Sequence, residues 1–476
     1  MITPRQRNIA LLVAGCFFME NLDGTIVTTA APRIGADLHV PSSAVGLVIT
    51  VYLMTLAVLI PLSGWMTARY GTRKVFLAAI VTFTVASALC SISSNLAELV
   101  AMRVLQGAGG AMMVPVGRLA VLAKAAKQDI MRLVAYIVWP GLVAPVIAPL
   151  AGGLITTYTS WRWLFLINVP LGIIALPAAV RLVPRTPRAN PPRLDIPGVL
   201  LTCAGLAGLT WCAHLLSTPS VAWTPVALTG AASVILLVAT IRHLLRAENP
   251  LVDLRTLRIP SLRAAVGGGS LFWIMVGAAP FLLPLLFQNI FGWSPVKSGA
   301  VVLFIFVGNI GIKPATTFLM NRFGFRTVLT AATAGAAATM LAAACFTAAT
   351  PLLLIVLVTL LSGVARSVGL SAYTTLSFSE VPAAQMPHAN TLSATSSQLC
   401  LGLGVAVATV ALRAGLPVSR LFTSHPGAGD AYTVAFVVLA LVALAATAGA
   451  LRLHPEAGDA VRATRETRVK EPSTRG

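Results

Sequence analysis

The dominant feature of this sequence is a series of long apolar stretches that recur along the whole chain. A helix of roughly 20 residues crosses the hydrocarbon layer of a bilayer, and lipid cannot satisfy free backbone N–H and C=O groups. Only 10% of the residues are charged, where soluble proteins have about 25%. The sequence therefore predicts an all-α integral membrane protein rather than a soluble core. Fourteen stretches of spanning length can be delimited, at 9–31, 44–67, 75–92, 99–122, 133–157, 164–180, 196–216, 223–241, 264–288, 295–320, 328–347, 351–377, 389–412 and 431–451.

The basic residues are distributed unevenly between the connecting segments. With the N-terminus placed in the cytoplasm, 25 of the 34 lysines and arginines fall in cytoplasmic segments, 5 fall outside and 4 fall within spans. The positive-inside rule then predicts a bacterial inner-membrane protein with both termini cytoplasmic. The net charge of +20 is explained by this topology and by contact with anionic lipids. Nucleic acid is therefore not expected as a partner.

The connecting segments are too short for a catalytic or nucleotide-binding domain, and no GxxxxGK[ST] motif occurs. Energy for transport against a concentration gradient would have to come from an ion gradient. A proton gradient is expected as the energy source, and no cofactor is expected. The six cysteines are scattered within apolar runs, which predicts neither disulfides nor a metal site. The charged segment 454–476 is expected to be a disordered cytoplasmic tail.

Only two acidic residues, Glu20 and Asp23, lie deep within a predicted span. They are three residues apart near the middle of the first span, so they share one helix face. Two carboxylates this close in a low dielectric cannot both ionise cheaply, and at least one is expected to hold a proton near neutral pH. Such a group suits proton coupling. The structural alternative is a permanent ion pair, for which Arg103 lies at an overlapping depth on the fourth span.

Three other cations lie within spans. Arg118 and Lys313 are expected to extend toward the membrane surface, as long basic side chains do near helix ends. Arg366 lies mid-span without an evident acidic partner, and either favours anionic substrates or lies in a water-filled cavity. The candidates for lining a substrate cavity are polar, charged or aromatic residues within spans: Tyr52, Gln106, Trp139, Trp273, Gln288, Asn309 and Arg366.

Five sequence blocks stand out in the first half of the chain: LDGTIVTTAAP at 22–32, GWMTARYGTRK at 64–74, RVLQGAGGA at 103–111, PVIAPLAGG at 145–153 and WRWLFLINVP at 161–170. In order and spacing, these blocks resemble those of the fourteen-helix drug:proton antiporters of the major facilitator superfamily (the EmrB/QacA type). Within that family the chain is most similar to the proposed multidrug-resistance exporters of proteobacteria. It departs from the usual motifs at Ala68, where the family often has Asp, and at Ala148, where Gly is usual.

The resemblance implies the major facilitator fold. Two six-helix bundles, 1–190 and 251–453, would be related by pseudo-symmetry, with two inserted transmembrane helices in 191–250. Substrate would bind near the bilayer midplane while the bundles rock around it. Asp23, helped by Glu20 and modulated by Arg103, would take a proton from outside and release it inside.

Two of the matching blocks carry roles by resemblance. The loop between the second and third spans would lock the outward-facing state, and the loss of an acidic residue at Ala68 is expected to loosen it. The antiporter motif of the fifth span would pack closely against a neighbour and restrict leak. The loop residues concerned are Gly64, Arg69, Gly71, Arg73 and Lys74, and the antiporter motif residues are Pro145, Pro149, Gly152 and Gly153.

The sequence thus predicts proton-coupled export of small, amphipathic or cationic toxic molecules by alternating access. The expected partners are a small-molecule substrate, protons and the bilayer; a monomer is expected, and accessory periplasmic proteins are left open. A dedicated exporter of one metabolite, such as a siderophore or amino acid, is the alternative. A membrane-embedded transferase is disfavoured because the six histidines are dispersed, without HxxxD or HExxH spacing.

Overall fold

Helices account for most of the computed structural model, which describes residues 3–40, 42–122, 125–184, 194–217, 222–421 and 427–461. No strand occurs within these ranges. Short 3-10 helices lie at Ile60–Leu62, Leu254–Arg258, Ala383–Gln385 and Asp459–Val461. The α-helices in chain order are α1 (Pro4–Asp37), α2 (Ser42–Leu59), α3 (Ser63–Tyr70), α4 (Thr72–Ile92), α5 (Leu96–Leu122), α6 (Lys127–Tyr158), α7 (Trp163–Leu166), α8 (Asn168–Leu182), α9 (Ile196–Ser217), α10 (Trp223–Arg246), α11 (Pro260–Asn289), α12 (Pro295–Gly311), α13 (Lys313–Ala344), α14 (Leu352–Ser379), α15 (Met386–Ser419) and α16 (Ala428–Leu451).

Twelve helical segments in the described part of the chain are long and apolar enough to cross a membrane. Two of the fourteen predicted stretches, 133–157 and 295–320, have no segment of their own in this set. The first lies on α6, a helix of 32 residues in which several side chains are outside the described residues. The second is divided between α12, which is shorter than a span, and the beginning of α13.

The helices form two bundles. In the first, α1 packs along α6 and α4 along α5, and α8 covers α4. In the second, α11 packs along α15, and α13 packs against α14 and α16. Helices α9 and α10 pack on each other, and α9 touches both α2 and α15. These two helices therefore lie beside the junction of the bundles.

The two bundles repeat a local geometry. The chain turns between α3 and α4 at Gly71, with φ of 85°, and α13 changes direction at Gly324, with φ of 77°. A side chain in this left-handed region costs about 1 kcal/mol or more, which favours glycine at both places. Pro61 and Pro314 each lie ten residues before the glycine, beside an interruption of the helix. The repeat supports a common origin of the two helix–turn–helix segments.

The bundles meet at one end of the molecule, the end at which α1 begins, called here the basic end. There Asn390 of α15 donates a hydrogen bond to the carbonyl of Pro115 on α5, at 2.9 Å. Gly64 lies against Thr391, so that a Cβ on this glycine would be 3.0 Å from the Thr391 hydroxyl. The two halves are therefore in direct contact at the basic end.

The first part of the segment expected to be a disordered tail is folded. Gly458 N donates to Glu380 Oε1 at 3.1 Å, and Val461 is buried beside α6. The chain can reverse here because Gly458 has φ of 80°. For 454–461 the expectation of disorder is therefore wrong, since an apolar residue at the end of a glycine turn finds a place in the core. Residues 462–476 lie outside the described residues.

Candidate functional site

Asp23 is the centre of a buried polar network. Its Oδ2 forms an ion pair with Nη1 of Arg103, the partner that the sequence favours. Its Oδ1 accepts hydrogen bonds from Gln106 Nε2 at 3.0 Å and from Asn168 Nδ2 at 2.8 Å. Each of the four side chains is at most 1% exposed. Helices α1, α5 and α8 are therefore joined through a single carboxylate.

Helix periodicity explains why two side chains of α5 reach this network. Arg103 and Gln106 are three residues apart and face α1 together. Arg103 Nη1 also donates to Gln106 Oε1 at 2.7 Å, and Gln106 Nε2 donates to Ser87 Oγ on α4 at 2.6 Å. Gln106, expected to line a substrate cavity, instead fixes the orientation of the ion pair.

Two aromatic rings pack against the guanidinium of Arg103. The Arg103 Cζ atom lies 4.8 Å from the ring centroid of Tyr52 and 4.9 Å from that of Phe165, within the range of cation–π attraction. Within the described residues, Arg103 Nε and Asn168 Oδ1 have no hydrogen-bond partner. The network is therefore buried and held by several contacts, and two of its polar atoms remain available for a further hydrogen bond.

Glu20, one turn before Asp23, has a different environment. It is half-buried, and its buried Oε2 has no hydrogen-bond partner in the part of the chain that the structure describes. It interacts electrostatically with Arg118 and with Asp23. Arg118, expected to extend toward the membrane surface, is half-buried and interacts electrostatically with Glu20. Of the two acids, only Glu20 has an oxygen free to accept a proton without breaking a hydrogen bond.

Two cations lie inside the second bundle. Lys313 is 6% exposed and its Nζ donates to Ser371 Oγ at 2.6 Å, so the expectation that it reaches the surface is wrong. The break between α12 and α13 turns Lys313 toward α14 instead. Arg366 donates from Nη1 to the Val276 carbonyl at 3.2 Å, and its Cζ lies 5.8 Å from the Phe306 ring. Neither cation forms an ion pair with a carboxylate of the described residues.

The remaining candidates for lining a cavity are dispersed. Tyr52 is fully buried against Arg103, and Asn309 is fully buried with neither amide atom hydrogen-bonded to a described residue. Trp273 is half-buried on α11, whereas Gln288 is exposed at the end of that helix. The side chain of Trp139 lies outside the described residues. The predicted set therefore does not form one cluster.

The loop from 64 to 74 makes contacts through some of its predicted residues. Arg73 Nη2 donates to the carbonyl of Val180, near the end of α8. Basic side chains at a helix C-terminus satisfy its free carbonyls and suit its dipole. Gly64 touches the second bundle, while Arg69 and Lys74 are exposed.

The antiporter motif is described only in part. The side chains of Pro145 and Pro149 lie outside the described residues. Gly152 is buried, and its carbonyl accepts from Thr156 Oγ1 at 2.6 Å. Among the described residues, a Cβ on Gly153 would meet nothing within 4 Å, so they show no close helix approach at this glycine.

Sequence reasoning missed Asn168, Ser87 and Phe165 as parts of the network. Asn168 and Phe165 belong to the block 161–170, which was matched without a role for individual residues. An amide at the start of a span was a usable signal, because a polar group buried in a membrane protein needs a partner. Ser87 gives no such signal, since serine often bonds its own helix.

A second polar cluster ties α1 to α7 at the end opposite the basic end. Asp37 Oδ2 accepts from Trp161 Nε1 at 2.9 Å and from Arg162 Nη1 at 2.6 Å. The hydrogen bond from Trp161, followed by that from Arg162, lowers the pKa of Asp37 below its usual value. Both charged side chains are partly exposed, so this pair is weaker than the buried one.

Comparison with known proteins extends over most of the chain. The sequence model of the Major Facilitator Superfamily matches residues 13–405. The "Putative multidrug resistance protein MdtD" of Salmonella paratyphi A is 36% identical over 404 residues, covering 84% of this chain and 85% of that protein. The protein of the same name from Salmonella typhi gives the same identity and coverage.

Two solved structures share the fold at low sequence identity. The human organic anion transporter MFSD10 (TETRAN) has a TM-score of 0.69 at 14% identity, covering 94% of this chain and 100% of that one. The major facilitator proton:xylose symporter XylE, bound to 6-bromo-6-deoxy-D-glucose, has a TM-score of 0.61 at 13% identity, covering 93% and 95%.

Proposed function

The chain belongs to the major facilitator superfamily and is a membrane transporter rather than an enzyme, and from this premise we propose that it exports small molecules in exchange for protons. The multidrug-resistance names of its relatives support export as the direction of transport. The proposed location is the bacterial inner membrane with both termini cytoplasmic, which follows from the distribution of lysines and arginines.

The Asp23–Arg103 pair carries this proposal. Both charges are buried, so removing either one leaves the other unpaired in a low dielectric. Protonation of Asp23 would have that effect without a mutation, and it would release Arg103 from α1. Because Arg103 and Gln106 link α1 to α5, proton binding would favour a different arrangement of these helices.

Glu20 is the proposed relay to Asp23. Its free oxygen can accept a proton at no cost in hydrogen bonds, and it lies one turn away on the same helix face. With the basic end in the cytoplasm, the contacts of α15 with α3 and α5 close that side of the protein. Protons would then reach Glu20 and Asp23 from outside.

Fourteen spans are part of the proposal. Helix α6 and the combination of α12 with the start of α13 are long enough to supply two spans beyond the twelve segments. Helices α9 and α10 would be the two inserted spans, since they lie beside the junction of the bundles. This arrangement follows the fourteen-helix antiporters that the sequence resembles.

The proposed cargo is a small amphipathic molecule. The prediction of a cationic cargo depended on a free negative charge at Asp23. Because Arg103 neutralises Asp23 in this structure, that charge is not offered to a cation. The charge that the cargo carries is therefore inferred from the charged residues of the second bundle.

Purified protein in liposomes tests the proposal, with an imposed pH gradient and a panel of amphipathic dyes. Wild-type protein is expected to move dye only while the gradient persists, and Asp23→Asn to abolish gradient-driven movement. Glu248→Gln, which changes an exposed acid outside the spans, is the matched control and should behave as wild type. Transport by Asp23→Asn at the wild-type rate would refute the proton role.

A further inference from the structure

A group of polar residues in the second bundle lies where α14 packs along α12 and the start of α13. Ser367 Oγ on α14 donates to the Asn309 carbonyl at 2.7 Å, and Lys313 Nζ donates to Ser371 Oγ at 2.6 Å. Both pairs are separated by 58 positions, so α14 runs parallel to α12 and the start of α13. Arg366 precedes Ser367 on α14. Positions 366 and 371 lie about 7.5 Å apart along the helix axis and about 140° apart around it, so Arg366 and Lys313 would contact different parts of one bound molecule.

This region has an uncompensated positive charge. Lys313 and Arg366 lack a carboxylate partner in the part of the chain that is described, and Glu380, the acid between α14 and α15, accepts from Gly458 instead. Burying an unpaired charge is costly, and such residues inside membrane proteins commonly mark substrate or ion pathways. The first bundle avoids this cost by pairing Asp23 with Arg103. The second bundle would be completed by an anion.

The same region contains hydrogen-bonding groups without partners. Both amide atoms of Asn309 and the Nε of Arg366 are buried, with no partner among the described residues. The guanidinium is held in place by the Val276 carbonyl and the Phe306 ring. A fixed guanidinium presents planar donors that match a carboxylate, and an amide N–H adds a further donor.

We infer that the cargo of this transporter is a small organic anion, which Arg366, Lys313 and Asn309 bind between α12–α13 and α14. This inference names the substrate class of the proposed export function and rests on it. It replaces the cationic preference with one that the charges of the second bundle support.

Binding in detergent, without a proton gradient, tests the inference. Fluorescence anisotropy compares the anion carboxyfluorescein with the cation rhodamine 6G. Wild-type protein should bind carboxyfluorescein more tightly, and Arg366→Gln and Lys313→Gln should each weaken this binding about tenfold or more, as expected for a lost charge-assisted hydrogen bond. Lys297→Gln, an exposed lysine on α12, and Arg246→Gln, an exposed arginine on α10, are the matched controls and should leave binding unchanged.

A competition measured on wild-type protein needs no variant to fold. Benzoate should displace carboxyfluorescein, whereas tetraethylammonium should not. Preference for rhodamine 6G, displacement by the cation alone, or unchanged anion affinity in both variants would overturn the inference and show a water-filled cavity only. Anion binding that depends on Arg366, together with transport that ignores the pH gradient, would instead refute proton coupling and leave the anion site standing.

Discussion

The two bundles share a packing scheme but differ in the charges that they bury. In the first, Asp23 and Arg103 neutralise each other within a network across four helices. In the second, the buried Lys313 and the half-buried Arg366 have no acidic partner among the described residues. The difference assigns separate tasks in the proposed mechanism, with proton coupling in the first bundle and cargo binding in the second.

Because the two bundles share their packing, equivalent positions in them can be compared residue by residue. A Cβ on Gly107 would lie 3.0 Å from the Tyr52 carbonyl, and one on Gly363 would overlap the carbonyl of Ile305. Tyr52 and Ile305 each lie nineteen residues before the turn glycine of their bundle. Counted the same way, Lys313 occupies the place of Ile60. A cation has therefore replaced an apolar residue at an equivalent position, which packing alone would not require.

The largest expected effect is on the buried ion pair. Arg103→Gln leaves Asp23 buried without its cation and should lower the free energy of unfolding by about 3–5 kcal/mol. The double variant Asp23→Asn/Arg103→Gln should recover a large part of this loss, because no charge is then unpaired. Denaturant unfolding in detergent measures both. A double variant no more stable than Arg103→Gln would show that the two charges are not coupled.

A smaller difference in stability is expected between alanine substitutions at the two equivalent glycines, Gly363 and Gly107. Gly363→Ala should destabilise by about 3 kcal/mol, because the methyl group would overlap backbone atoms that cannot move independently of α12. Gly107→Ala should cost less, about 1 kcal/mol, because its closest contacts, the Thr55 Cβ at 2.8 Å and the Tyr52 carbonyl at 3.0 Å, need only a small shift to admit a methyl group. Thermal unfolding of both variants checks the order. Gly153→Ala, with open space around it, is the control, and a reversed order would contradict the tighter packing of the second bundle.

Removing a cation from the second bundle should have the opposite effect on the free energy of unfolding. Lys313→Met is expected to leave the free energy of unfolding unchanged or to raise it by up to about 1 kcal/mol, because it replaces an unpaired buried charge by an apolar side chain. The same unfolding measurement decides it, with Lys297→Met as the exposed counterpart. A loss of more than about 1 kcal/mol would indicate an ion pair that stabilises Lys313.

The smallest effect is expected at Asp37. Its lowered pKa means that its stabilising contribution is complete above the unfolded-state value of about 3.9 and is lost as the pH falls through the lower folded-state value. Asp37→Asn should therefore cost less than about 1 kcal/mol at about pH 8, and this cost should shrink as the pH falls below about 3.9. Unfolding at about pH 8 and pH 3 tests this. A cost that did not fall between them would show that the carboxylate does not stabilise the cluster.

Much of the fold could be predicted because the relevant physics is local. Apolar length predicted the twelve segments that the described residues confirm, and the loop predicted between the second and third spans contains the turn at Gly71. The prediction was incomplete where a helix is interrupted, as at Ile312, since a short break leaves the apolar run unbroken. It was wrong for 454–461, where Val461 is buried through a contact with a helix distant in sequence.

The candidate site, like the fold, could be predicted from the sequence only in part. Asp23, Glu20 and Arg103 could be identified from sequence because charge in an apolar run is costly wherever the helices pack. Which of them pair, that Asn168 completes the network, and that Lys313 turns inward beside Ser371 were decided only by tertiary structure. A single sequence records the cost of burying each group, whereas the partner that offsets this cost depends on how distant helices approach one another.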